Sequence, residues 1–194
     1  MNKTIMTTLR EAVPKDIDHI MDLERLCFNE YTRESAETYR ERIGCFPQGF
    51  MILKADGEFA GAASSEIRPC RVEISANDFA LGHSIKGALA LDGEELYISS
   101  IAVLPQFRHR GYGDFLLRGL IGHVKKNFPQ VTKGILLINE DWKGARQIYL
   151  RNGFSDRKIL KGFFTESGGA QRDGVIMGND RLNAAPSSDQ FYGF

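Results

Sequence analysis

The middle of the chain holds a strand, a basic glycine loop and a helix in immediate succession. The β-branched and aromatic residues of ELYISSIAV predict a strand over 95–103, which Pro105 ends because proline cannot donate to a ladder. Gly111 and Gly113 follow in the loop, and an apolar stripe at helical spacing then predicts a helix that runs to Phe128. This unit confines the chain to folds in which a strand leads directly into a helix that covers a sheet.

The other elements complete a mixed sheet. A first strand (TTLREAV) precedes two helices, the second predicted over 29–43, and a hairpin follows with Asp56-Gly57 at its turn. A short apolar strand (KGILLI), a helix (WKGARQIYLRN) and two final strands end the order. Mixing hairpins with crossover helices indicates an α/β (α+β) fold, a mixed sheet of about six to seven strands with helices on both faces.

We predict one domain over 1–182, with 68–94 as a variable insertion or lid and 183–194 as a flexible tail. The chain has 194 residues and balances 25 basic against 25 acidic side chains, which argues against capture of nucleic acid or an anionic membrane. Three cysteines and four scattered histidines lack the spacing of a metal site or disulfide framework. The absence of a signal-like or membrane-length apolar run predicts a cytoplasmic protein.

The glycine loop has the features of a phosphate-binding site. The first turn of a helix carries unpaired N–H groups and a partial positive charge, and Gly111 and Gly113 allow close approach. Arg108 and Arg110 add cationic donors. A dinucleotide fingerprint needs a third glycine where Leu116 stands, and the Lys-Ser/Thr ending of a P-loop is missing. The spacing instead matches the acyl-CoA pyrophosphate loop, Arg/Gln-x-x-Gly-x-Gly/Ala.

Two stretches carry a family resemblance. SSIAVLPQFRHRGYGDFLLRGLI resembles the coenzyme A-binding motif of the GNAT superfamily of acyl-CoA-dependent N-acyltransferases, and ARQIYLRNGF resembles the second landmark of that superfamily. The resemblance covers roughly 5–180, and 68–94 matches poorly. It implies a centrally splayed GNAT-like sheet, acetyl-CoA as co-substrate and no metal. It also implies acetyl transfer to a primary amine by direct attack, through a tetrahedral intermediate.

The resemblance further implies where the coenzyme binds. Backbone groups at the end of the strand pair with the pantetheine arm, and N–H groups of the loop hold the pyrophosphate. Asparagine is frequent in the superfamily where Trp142 stands, so Asn139 is the candidate for that contact instead. The predicted coenzyme-binding residues are Ile101, Ala102, Val103, Arg108, His109, Arg110, Gly111, Tyr112, Gly113 and Asn139.

Two residues are predicted to move protons. Tyr149 occupies the superfamily's general-acid position and is expected to protonate the leaving thiolate. Strand alternation puts Glu95, Tyr97 and Ser99 on one face, where Glu95 supplies the only carboxylate. Glu95 is therefore our candidate to accept the amine proton through water, and a solvated strand-end carboxylate is the alternative.

The acceptor is less constrained by the sequence. Phe28 and Tyr31 stand among carboxylates that include Glu24 and Glu34, a combination that suits an amphiphilic cation. Together with Tyr97 and Ser99, Phe28 and Tyr31 are the predicted substrate-binding residues. A small amine, a protein N-terminus or a lysine remain open, as does a homodimer. The rival classes are a non-catalytic acyl-CoA sensor and an RNA-binding module.

Overall fold

The structure is a computed structural model that describes residues 6–71 and 73–182. Within these ranges the elements are β1 (Thr7–Glu11), α1 (Ile17–Cys27), α2 (Ala36–Cys45), β2 (Phe50–Ala55), β3 (Glu58–Arg68), α3 (Ile85–Ala88), β4 (Glu95–Val103), α4 (Tyr112–Asn127), β5 (Lys133–Asn139), α5 (Lys143–Arg151), β6 (Ser155–Thr165) and β7 (Gln171–Asn179). A short 3-10 helix, Ala76–Phe79, lies between β3 and α3.

The seven strands form one mixed sheet in the order β1-β2-β3-β4-β5-β7-β6. Neighbouring strands are antiparallel except β4 and β5, which run parallel because α4 crosses between them. The predicted mixed sheet of six to seven strands is thereby confirmed. The hairpin turn at Asp56-Gly57 is confirmed as well, since β2 and β3 pair across it.

Helices cover both faces of the sheet. Phe50 and Ile52 of β2 pack with α1 and α2, whereas Met51 and Leu53 pack with α4. Adjacent residues of a strand point to opposite faces, so the two helical layers lie on opposite sides. The central strands of the sheet are therefore covered on both faces, and access to them depends on gaps between strands.

One such gap lies between β4 and β5. Their pairing covers only four positions, from Glu95 with Lys133 to Ile98 with Leu136. Beyond these positions, β4 stays paired with β3 as far as Val103, and β5 stays paired with β7 as far as Asn139. The two strands therefore diverge in the centre of the sheet, as the resemblance implied.

The prediction for the second helix was wrong in its start. It begins at Ala36 rather than near Asn29, because the Ser35 hydroxyl accepts a hydrogen bond from Thr38 N and caps the first turn. The stretch 68–94 holds the short 3-10 helix and α3. The predicted tail, 183–194, lies outside the described residues.

Candidate functional site

A cavity of about 810 Å³ occupies the gap between β4 and β5. Its volume lies in the ordinary range for small-molecule and cofactor sites. The lining includes Ile98 to Val103 of β4, Leu137 and Ile138 of β5, and Tyr149 of α5. We call one extremity the loop end, lined from 107–114, and the other the aromatic end, lined by Phe28, Tyr31, Tyr39, Phe79, Tyr97 and Phe163.

The backbone of the loop end is shaped for an anion. His109 and Gly111 both have left-handed conformations, with φ of 62° and 77°. Turns of this kind bring successive N–H groups together, and Gly111 is also the N-cap of α4, where the helix adds unpaired N–H groups. A Cβ on Gly113 would come within 2.9 Å of Ile148 Cδ1, so glycine there permits the close approach of α4 and α5.

The two loop arginines differ in position. Arg108 lines the cavity, where its Nε donates to Val103 O at 3.1 Å and its Nη2 to Cys27 Sγ at 3.3 Å. A guanidinium has five N–H donors, so three remain for a phosphate. Arg110 is outside the lining, and its guanidinium lies 5.7 Å from the centre of the Phe107 ring.

Tyr149 is buried in α5 and lines the cavity near the point where β4 and β5 separate. Its ring packs edge-on against Phe154. Among the described residues, no hydrogen-bond partner is found for the Tyr149 hydroxyl, although that oxygen is not sealed from solvent. Burial raises the pKa of Tyr149 well above its ordinary value, so the phenol is protonated at neutral pH and can act as a donor.

A β-bulge changes the expected alternation along β4. Ser64 pairs with Ser100 and Ser65 with Ile98, which leaves Ser99 as an extra residue. Its hydroxyl donates to Ser64 O at 3.1 Å. The bulge turns the strand where it borders the cavity, so Ser99 does not simply share a face with Tyr97.

Tyr97 itself faces the aromatic end. Its ring is stacked 3.8 Å from the Arg68 guanidinium and contacts Phe79 edge-on, with centroids 5.3 Å apart. Burial raises the pKa of Tyr97 to about 12. The Tyr97 phenol is therefore protonated at any physiological pH.

A buried carboxylate pair lies under the aromatic end. Glu24, only 2% exposed, accepts from Tyr39 Oη at 2.7 Å and from the backbone N of Glu34 at 3.0 Å. Glu34 accepts from Arg42 Nη2 at 2.8 Å and from Gly82 N at 2.9 Å. Burial outweighs these bonds at Glu24 and raises the pKa of that carboxyl. Two carboxylates against one guanidinium give the cluster a net negative charge when both are ionised.

Besides Arg110, two predicted residues do not line the cavity. Glu95 begins β4, about 13 Å from Ser99 at ~3.3 Å per residue, and its pKa is raised by burial despite nearby Arg68 and Lys133. Asn139 is buried, and its Nδ2 donates to Glu166 Oε1 at 2.7 Å. The other predicted coenzyme and substrate residues, apart from Arg110, line the cavity. Their roles stay predictions.

Phe79, Ala80 and Leu81 also line the aromatic end, and they were not among the predicted site residues. The unusual length of 68–94 was the available signal, but it could not say which residues reach the cavity. His83 lies two residues after Leu81. Its Nε2 is 3.0 Å from Glu66 Oε1 of β3, and its Nδ1 is 2.8 Å from Ala80 O. This pair fastens the segment to the sheet.

Neither a membrane span nor a metal site was found in the described ranges. None of the helices there is long and apolar enough to cross a bilayer. In the same part of the chain, no three histidine, cysteine or acidic side chains are grouped closely enough to hold a metal ion.

Comparison with known proteins supports the resemblance. A model of the acetyltransferase (GNAT) family matches residues 17–154. An N-alpha-acetyltransferase of Sulfurisphaera tokodaii is 26% identical over 81% of this chain and 86% of its own length. An uncharacterised N-acetyltransferase of Methanocaldococcus jannaschii is 35% identical over 34% of this chain but only 28% of its own length. The loading GNATL domain of CurA from Lyngbya majuscula has the same fold, with a TM-score of 0.73 at 18% identity over 90% of this chain and 98% of that one.

The Glu66–His83 pair predicts a pH-dependent contribution to stability. The hydrogen bond to Glu66 raises the pKa of His83. Burial alone would raise the pKa of Glu66, but the hydrogen bond from His83 and the charge of Arg68 outweigh burial and lower it. Because the pKa of His83 is raised on folding, protonated His83 stabilises the folded protein fully below about pH 6.5, and this stabilisation is lost as pH rises through the pKa of the folded state. Because the pKa of Glu66 is lowered, ionised Glu66 stabilises the folded protein fully above about pH 4.5, and this stabilisation is lost as pH falls through the pKa of the folded state. The pair therefore contributes fully between these values.

We expect the melting temperature of His83→Gln to fall below that of the unchanged protein by the largest margin near pH 5.5, and the margin to shrink at pH 9. Other charged groups around the pair are Arg68, Asp78 and, more distantly, Arg42. His19→Gln, at a ring that stacks on Phe59, is the control. A margin for His83→Gln that is equal at both pH values contradicts the assignment.

Proposed function

The chain belongs to the acetyltransferase (GNAT) family, whose members use acyl-CoA, and we propose that it transfers an acetyl group from acetyl-CoA to a primary amine. One observation carries the proposal: a single cavity connects the anion-shaped loop, the opening between β4 and β5, and the Tyr149 hydroxyl. The aromatic end continues this cavity beyond Tyr97. A donor and an acceptor can therefore meet inside it without crossing solvent.

The coenzyme enters at the loop end. Its pyrophosphate lies on the N–H groups between Arg108 and Gly113, at the start of α4. Its pantetheine arm pairs with backbone groups of Ile101 to Val103, which face the gap because β5 has moved away. Val103 O already accepts from Arg108 and Cys27, so the arm shares or displaces these contacts. The thioester then reaches the bulge at Ser99.

The chemical step needs two proton movements. The neutral amine attacks the thioester carbon, a C–N bond forms, and the carbonyl π electrons move to oxygen. Collapse of this tetrahedral intermediate breaks the C–S bond, and the thiolate takes a proton from Tyr149. The nitrogen carries an extra proton after the attack, and it gives that proton up, directly or through water, to the Tyr149 phenolate, which restores the phenol and leaves the neutral amide. The raised pKa of Tyr149 keeps that proton available at neutral pH, and the lining of the cavity by Tyr149 supports this role.

The amine must lose a proton before it attacks, because a free alkyl ammonium has a pKa of ~10.4. Glu95, acting through water, is the acceptor suggested by the strand pattern, but Glu95 does not line the cavity, so the proton has to pass through intervening water. Glu24 offers a second route from inside the cavity. Its raised pKa brings the carboxylate nearer to the operating pH, where a general base is most effective.

A protein N-terminus is the second acceptor class that we propose, and the similarity to the N-alpha-acetyltransferase of Sulfurisphaera tokodaii supports it. Contacts between loops limit how such a chain enters. Asn29 Nδ2 donates to Thr165 O at 3.1 Å, and Ser167 Oγ donates to Glu30 Oε2 at 3.1 Å. These bonds join the α1–α2 connection to the β6–β7 turn, so an acceptor enters end-on.

The proposed function is tested by release of free coenzyme A thiol from acetyl-CoA in the presence of small amines, polyamines and peptides. We expect amine-dependent thiol release together with formation of the N-acetyl product. A non-catalytic sensor binds acetyl-CoA and releases no thiol with any acceptor, which contradicts the proposal. Salt-dependent RNA binding without acetyl-CoA binding favours the RNA module instead.

The role of Tyr149 predicts a specific defect. Tyr149→Phe removes the proton donor and leaves the ring packing, so kcat falls by about 10² while the Kd for acetyl-CoA changes little. Steady-state kinetics and calorimetry measure the two quantities. An unchanged kcat removes Tyr149 from the mechanism.

The two loop arginines provide a matched pair. Arg108→Ala weakens acetyl-CoA binding by about tenfold, because it deletes a charge-assisted contact worth ~1.5 kcal/mol or more. Arg110→Ala has a smaller effect, since Arg110 lies outside the lining. Calorimetry of both variants compares them directly, and equal affinity of Arg108→Ala and the unchanged protein refutes the pyrophosphate seat.

Glutamine variants separate the two proton acceptors. If Glu24 accepts the proton, Glu24→Gln lowers kcat/KM by about 10² at neutral pH and abolishes the acidic limb of its pH profile, whereas Glu95→Gln has little effect. The glutamine oxygen can still accept from Glu34 N while its amide NH2 donates to Tyr39 Oη, so both contacts of Glu24 keep a hydrogen-bond partner. The reverse pattern assigns the role to Glu95, and full activity of both variants excludes both.

A further inference from the structure

The segment 79–81 builds a wall of the cavity that the family resemblance does not account for. It lies in the poorly matched stretch 68–94, yet three consecutive residues, Phe79, Ala80 and Leu81, line the aromatic end. Phe79 is buried against Tyr97. Leu81 is 49% exposed although it lines the cavity, which puts it at the mouth. Tyr31 also lines the cavity and is exposed. The wall thus runs from the interior to the entrance.

The wall is fastened from two sides. On the sheet side, Glu66 holds His83, and Arg68 Nη1 donates to Asp78 O at 2.6 Å. On the helix side, Glu34 accepts from Gly82 N at 2.9 Å. Bonds on both flanks of a three-residue segment hold its backbone in one position. Apolar side chains that are already held in place lose less ordering entropy when a ligand binds, which favours a ligand that fits them.

The charged side chains near the wall favour an acceptor with one ammonium group and disfavour a second charge at its other end. Glu24 and Glu34 lie beneath the aromatic end, where they attract a single ammonium group. The carboxylates behind the wall, Glu66 and Asp78, are already ion-paired with Arg68 and Arg71 respectively. A second ammonium held against Phe79, the buried part of the wall, would lose its hydration against apolar side chains. Glu34, which accepts from Gly82 N beside the wall, is already paired with Arg42.

We propose that Phe79 and Leu81 are specificity-determining residues, which select primary amines that carry an apolar group and reject those with a second charge. This inference rests on the proposed acetyl transfer. The ammonium lies toward Glu24 and Glu34, and the apolar group lies along the wall toward the mouth. The same chemistry is offered by a free alkylamine or arylalkylamine and by a peptide whose first residue is apolar.

Pentylamine and 1,4-diaminobutane form a matched acceptor pair, since they have equal length and differ only in whether the far end is methyl or ammonium. We expect kcat/KM to favour pentylamine by about tenfold or more, the discrimination that a hydrophobic pocket ordinarily supplies. Leu81→Ser reduces this ratio several-fold, mainly through KM. Leu91→Ser is the control, because Leu91 is also 49% exposed and belongs to the same stretch but does not line the cavity.

Peptides distinguish the source of the apolar group. A tetrapeptide that begins with leucine is compared with one that begins with serine, in the unchanged protein and in Leu81→Ser. Preference for the leucine peptide over pentylamine identifies an N-terminal residue as the acceptor, and the reverse identifies a free amine. With either result, the role of the wall is upheld if the preference for the leucine peptide over the serine peptide weakens in Leu81→Ser.

His83 is a positioning residue for the wall, and His83→Gln tests that role separately. Loosening the segment raises KM for pentylamine several-fold while kcat and the Kd for acetyl-CoA stay within about twofold. A general loss of structure would instead lower kcat and raise the Kd for acetyl-CoA along with KM. Equal KM in His83→Gln and the unchanged protein refutes the positioning role.

The inference and the proposed function fail in different ways. Turnover with an unchanged pentylamine-to-diamine ratio in Leu81→Ser overturns the wall and leaves acetyl transfer intact. Absence of turnover, with calorimetric binding of pentylamine to the coenzyme A complex that weakens in Leu81→Ser, upholds the wall and overturns acetyl transfer. Absence of both turnover and pentylamine binding overturns both.

Discussion

The separation of β4 from β5 is the constraint on which the rest of the structure depends. A sheet that is covered on both faces leaves no route to its centre, and buried backbone groups need partners. Here the pairing of the two strands stops after Ile98 and Leu136, while each strand keeps its other neighbour. Strand stability is thus retained on the outer sides, and the unpaired inner edge becomes available to a ligand that can hydrogen-bond like a strand.

The cavity that fills this gap is electrically asymmetric. Its loop end combines Arg108, left-handed backbone and the start of α4, which together attract an anion. Its aromatic end covers Glu24 and Glu34, which attract a cation. In the proposed reaction, an anionic donor and a cationic acceptor therefore enter from opposite ends of the cavity, and Tyr149 is the proposed proton donor. The same polarity explains why a chain with no net charge can hold a coenzyme that carries several negative charges.

Local patterns predicted much of this arrangement, and long-range contacts account for what they missed. β4, α4 and the loop between them follow from strand propensity, helical periodicity and two glycines, which act over a few residues. The bulge at Ser99 left no local signal, because it depends on the register with β3. The wall of Phe79 and Leu81 and the inward position of Glu24 depend on pairings such as Glu66 with His83, which join residues far apart in sequence. The start of α2 was missed because its Ser35 cap was overlooked.

Amide hydrogen exchange with and without acetyl-CoA tests the central claim, that the unpaired edge of β4 receives the coenzyme. The account predicts slower exchange in the complex at the amides of Ile101 to Val103 that face the gap and at the loop amides 109–113. It predicts little change at Glu95 to Ile98, where β5 is already paired. Saturating acetyl-CoA that binds and leaves the amides of Ile101 to Val103 and of 109–113 unprotected would contradict the account.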